Sequence, residues 1–102
     1  MKMIVVTSIK EDMQAVTDIF EKAEIPVFSV SETIGHKAAH HDYLLENWFG
    51  KTNEQTEALF FFSFTDNEKA YSALHQVLEY NAGKKNLFPI RAFILPVEIA
   101  SY

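Results

Sequence analysis

The sequence predicts an α+β domain of ferredoxin-like βαββαβ order: a four-stranded antiparallel sheet with two helices on one face and a long loop between strands 2 and 3. Three observations predict it. An apolar run, Met3-Ile4-Val5-Val6, leads into Ser8-Ile9-Lys10-Glu11 and a helical pattern. A second run, Leu59-Phe60-Phe61-Phe62, leads into Thr65-Asp66-Asn67-Glu68 and another helical pattern. In both tetrapeptides a hydroxyl residue stands three places before a Glu, the spacing at which hydroxyl and carboxylate each accept a free backbone N–H at a helix start. Between the two repeats lie residues 35–56, far more chain than a hairpin turn requires.

The elements follow in order. After the first strand, Ile9, Met13, Val16, Phe20 and Ala23 recur at helical spacing and predict a helix from about Lys10 to Ala23. Ile25-Pro26 ends it, because Pro lacks a donor and drives the preceding residue toward extended backbone. From Val27 to Ile34, Phe28, Val30 and Ile34 alternate with Ser29, Ser31 and Thr33, a half-buried strand that Glu32 interrupts as it leaves the core. Residues 58–64 give the strongest strand signal, and their crowded phenylalanines predict a central strand. A second helix is expected over Asn67 to Asn81 with Ala70, Leu74, Val77 and Leu78 inward. Ala82-Gly83 stops it, with Gly83 in the left-handed position. Phe93-Ile94-Leu95 with Val97 and Ile99 form the last strand, which should bend or run along a sheet edge at Pro96, a residue with no N–H for a ladder.

This arrangement has a consequence. Phe60, Phe61, Phe62 and Phe64 must project to both faces of a sheet that helices cover on one side only. The other face then needs a partner, and self-association is the economical one. Coverage by the long loop, or a tolerated exposed patch, are the alternatives.

Composition narrows the function classes. With 102 residues the chain, 1–102, is one domain, and 48% hydrophobic content suffices for a packed core. Nine Lys and Arg against fourteen Asp and Glu leave a net charge of −5, which argues against a nucleic-acid partner. The absence of cysteine excludes disulfides, thiolate metal sites and cysteine nucleophiles. Met1-Lys2 before a four-residue apolar run is too short for an export signal, and no segment approaches a membrane span, so a cytoplasmic location without membrane insertion is expected.

Val30-Ser31-Glu32-Thr33-Ile34-Gly35 and Phe93-Ile94-Leu95-Pro96-Val97-Glu98, with the element order and the long loop, resemble the PII signal-protein superfamily of trimeric regulators. The first stretch is similar to the end of that family's second strand, the other to its fourth. The resemblance covers nearly the whole chain and implies a homotrimer that binds a small ligand, such as an adenine nucleotide, between subunits. It also implies that the 36–56 loop modulates a partner protein, a membrane transporter among the target classes. Gly35 matches the loop-base glycine, and Arg91 falls where the family has a basic residue before the last strand. The family's Gly-rich phosphate turn is replaced by Asn86-Leu87-Phe88-Pro89-Ile90, its second loop-base Gly by Lys37 and a nucleotide-site Gln by Ala39. The chain reads as a divergent member.

Several constellations could carry this. Gly35, Lys37, Lys84, Lys85 and Arg91 form the expected ligand set; a basic pair after a helix also simply complements the helix dipole. Tyr43, Trp48 and Phe49, in a segment ended by Gly50, are aromatic anchors for a partner, or else cover the sheet of their own or a neighbouring subunit. His36, His40 and His41 offer imidazoles for a divalent transition metal, with His36 and His40 spaced for one helical face; solvated loop histidines are the plain alternative. A metal-handling protein is therefore the second functional expectation. Ser, His and Asp occur without any nucleophile context, and the paired carboxylates sit at helix starts and in polar loop. No catalytic site is expected.

Overall fold

The computed structural model describes residues 1–36, 55–83 and 88–101, giving the backbone alone at 35, 36 and 55–57. Strand β1 (Lys2–Ser8) is followed by a 3-10 turn (Lys10–Asp12), helix α1 (Met13–Lys22), strands β2 (Ser29–His36) and β3 (Gln55–Thr65), helix α2 (Asn67–Ala82) and strand β4 (Arg91–Pro96). All neighbours pair antiparallel in the order β2-β3-β1-β4. The phenylalanine-rich strand is central, as expected, and Pro96 ends an edge strand whose described pairing is to β1 alone. Val97 and the residues after it leave the ladder, apart from the Val97 N–H donating to the Met1 carbonyl at 3.2 Å. The expected strand therefore stops at Pro96, and Ile99 is exposed.

Strand alternation sorts the side chains. Ile4, Val6, Leu59, Phe61 and Ala92 share one face and pack with Val16, Ile19 and Phe20 of α1 and Ala73 and Val77 of α2. Both helices thus lie on that face, and Phe61 is wholly buried beneath them. The helix stripes differ from expectation at their margins. Met13 and Leu78 are 47% and 58% exposed, whereas Ile19 and Ala73 are buried. Met13 opens α1 at its exposed end, and the buried stripe of the helix begins one turn later with Val16, Ile19 and Phe20. On α2, Ala70 and Ala73 let the helix sit close to its neighbours, and proximity counts for more there than the size of Leu78.

Both capping boxes shift for one reason: the strands run one residue further than the helical pattern suggests. Ser8 is still paired with Leu59, and its Oγ donates to the Ile9 carbonyl at 2.9 Å instead of accepting an N–H. The chain enters α1 through the 3-10 turn, the Asp12 N–H donating to the Ile9 carbonyl at 3.1 Å. Thr65 is likewise held opposite Lys2, so Asp66 caps α2 and accepts from the Lys69 N–H at 2.9 Å.

The left-handed residue also lies elsewhere. Gly83 has φ −93°, in the right-handed region, and among the described residues a Cβ there would meet the Tyr80 carbonyl at an ordinary 3.8 Å. Glu24 has φ 61°. Around it the Glu24 N–H donates to the Glu21 carbonyl at 3.0 Å and the Ile25 N–H to the Phe20 carbonyl at 2.9 Å, while Ile25 is buried. This is the paired closure of a helix that glycine usually makes, completed by an apolar residue just beyond it. α1 is therefore closed before Pro26 is reached. Glu24→Gly removes the Cβ conflict at the cost of a more flexible unfolded chain. A net gain of about 0.5–1 kcal/mol is expected, read as a thermal midpoint several degrees higher.

Candidate functional site

The sheet face opposite the helices buries Val5, Thr7 and Ala58 but leaves Phe64 and Leu95 about half exposed. Val5 lies between Phe62 and Phe93 in the register, and Met3 between Phe64 and Leu95. Phe60, Phe62 and Phe64 form a ladder along β3, with ring centroids 5.7 Å and then 6.3 Å apart. Phe64 is 53% exposed and Leu95 44%, and no described helix lies over them. Toward β2 the same face changes character, with Ser29 opposite Phe62, Ser31 opposite Phe60 and Thr33 opposite Ala58. An apolar centre bordered on one side by hydroxyls has the anatomy of a contact surface. An open hollow of about 620 Å³ continues this surface round the outer edge of β4, with Met3, Phe93 and Leu95 on one side and Tyr71 and Leu74 on the other.

The candidate ligand residues divide. Gly35 and His36 do not start a loop; they continue the β2 ladder opposite Thr56 and Gln55, so the hairpin extends two residues beyond the expected loop base. The helical relation of His36 to His40 accordingly fails at His36, whose backbone is that of a strand. Arg91 opens β4 opposite Thr7, in one cross-strand row with Phe60 and Ser31 and on the same face as Phe93 and Leu95. Gly35 lies three strands away and four residues further along. Ideal sheet spacings put the two positions roughly 20 Å apart within one subunit. One copy therefore does not bring Gly35 and Arg91 to a common small ligand. Lys37, His40, His41, Tyr43, Trp48, Phe49, Lys84 and Lys85 lie outside the described residues. Among the described residues no three His, Asp or Glu side chains gather as a metal site.

The entry to β4 is fixed from α2. Asn81 uses both ends of its amide, donating from Nδ2 to the Ile90 carbonyl at 2.7 Å and accepting the Ile90 N–H on Oδ1 at 2.9 Å. Ile90 is buried, so the amide satisfies two backbone groups that water does not reach and sets the register of Arg91. On the opposite flank Lys10 and Glu32 pair at 2.5 Å across exposed surface, tying the start of α1 to β2.

Sequence reasoning missed the remaining face residues, Met3, Val5, Phe93 and Leu95. The period of two in β1 and β4 could have found them once both strands were set beside β3. It also missed a buried carboxylate: Asp12 is 5% exposed and accepts from the Tyr80 hydroxyl at 2.8 Å. That hydrogen bond, then partial burial and the neighbouring carboxylate charge, raise the Tyr80 phenol above its ordinary 10.0. Because the folded state holds the phenol proton more tightly, the contribution is complete below pH 10 and fades as pH rises through the folded value. Tyr80→Phe should cost about 1 kcal/mol at pH 7 by denaturant melting. The gap to wild type should narrow above pH 10; a gap that widened there would exclude this role for the pair.

Among the described residues no helix is long and apolar enough to cross a membrane. No protein-family model matches the chain, and no curated protein matches it.

Proposed function

We propose that this chain is a PII-like regulatory protein of ferredoxin-like fold, acting as a homotrimer. On this reading it holds a small ligand between subunits and modulates a partner protein through the loop that follows β2. A transporter is one class of target, the location is the cytoplasm, and no catalytic step is involved. The fold label is supported by the order β2-β3-β1-β4 and by the placement of both helices on one face.

The observation that carries the reading is the aromatic face. Phe64 and Leu95 stand about half in solvent near the ends of β3 and of the edge strand β4, on the face of the sheet that the helices leave uncovered. A second copy of the chain can bury them without any new kind of partner. On this reading Gly35 and Arg91, far apart in one subunit, would meet a common ligand only at a junction between copies.

Sedimentation equilibrium tests the assembly. A mass of three times 11.7 kDa is expected at micromolar concentration, and a stable single subunit would overturn the proposal. Given a trimer, calorimetric titration with an adenine nucleotide and with Zn²⁺ distinguishes the two ligand classes. Nucleotide binding weakened by Arg91→Ala supports the regulatory reading. Zn²⁺ binding lost when His36, His40 and His41 are all changed to Ala would transfer support to metal handling.

A further inference from the structure

We draw no further inference here: the strongest candidate, the apolar surface wrapping the outer edge of β4 between Tyr71 and Leu74 on one side and Phe93 and Leu95 on the other, is continuous with the sheet face already assigned to contact between copies, and nothing else in the structure shows what covers it.

Discussion

If copies associate through the aromatic face as proposed, Phe64→Glu should yield single subunits of 11.7 kDa that remain folded. Phe64 lies opposite Met3, flanks Phe62 and is 53% exposed in one copy, so the subunit itself loses little when the ring is removed. In a trimer the same position would be desolvated, and a carboxylate there would lack any partner on an apolar face. Losing the ring's burial and enclosing an unpaired charge cost about 3 kcal/mol or more per copy. Three copies contribute together, so the association constant should fall by roughly 10⁶-fold. Leu95→Glu, across Met3 on β4, should act in the same direction. Far-ultraviolet circular dichroism should be unchanged in both variants, separating dissociation from unfolding. If both variants keep three times the subunit mass, the copies meet through some other surface. A wild-type chain already of single mass would remove the trimer altogether.

Residues 58–64 show how far the sequence alone reaches. Adjacent phenylalanines at 60, 61 and 62 cannot share a face of an extended strand, so the two-sided nature of β3 was legible before any coordinates. The edge position of β4 was legible for an equally local reason, since Pro96 has no N–H to give a ladder. Boundaries were less legible, because pairing decides them. Ser8 and Thr65 look like caps, but each has a cross-strand partner that holds it extended, in Leu59 and Lys2 respectively. Glu24 was invisible as a left-handed residue because nothing in its type announces it; the buried Ile25 behind it holds the chain in that turn.

The site follows the same division. The family resemblance picked out Gly35 and Arg91, but their separation is a property of strand order, which no spacing in the sequence encodes. Met3, Phe93 and Leu95 were read only as apolar strand residues. Their common face becomes apparent once β1 is set between β3 and β4.

The opposite side of the same sheet should respond to mutation in a different way. Phe20 is fully buried, with its ring centroid 4.7 Å from Phe28 and 6.2 Å from Phe61, and Phe28 and Phe61 are 6.3 Å apart. These three rings join α1 to the central strand and to the chain entering β2. Phe20→Ala removes the ring that both others touch, in a core where the backbone on either side is fixed by helix or ladder. A loss of about 3–5 kcal/mol is expected, a large share of the roughly 5–15 kcal/mol that holds a domain of this kind together. Phe28→Ala should lower stability too, and the double variant should lose less than the sum by about 0.5–1.5 kcal/mol, since the two rings lean on each other. Measured in the Phe64→Glu background, urea unfolding reports the subunit free of any association through the aromatic face. There the midpoint of Phe20→Ala should fall sharply and be independent of protein concentration. If the wild-type chain forms the proposed trimer, Phe64→Ala should instead change how strongly the midpoint depends on concentration. A cost below about 1.5 kcal/mol for Phe20→Ala would mean that the helix layer contributes little to holding the sheet, and that the two faces are not divided between folding and association.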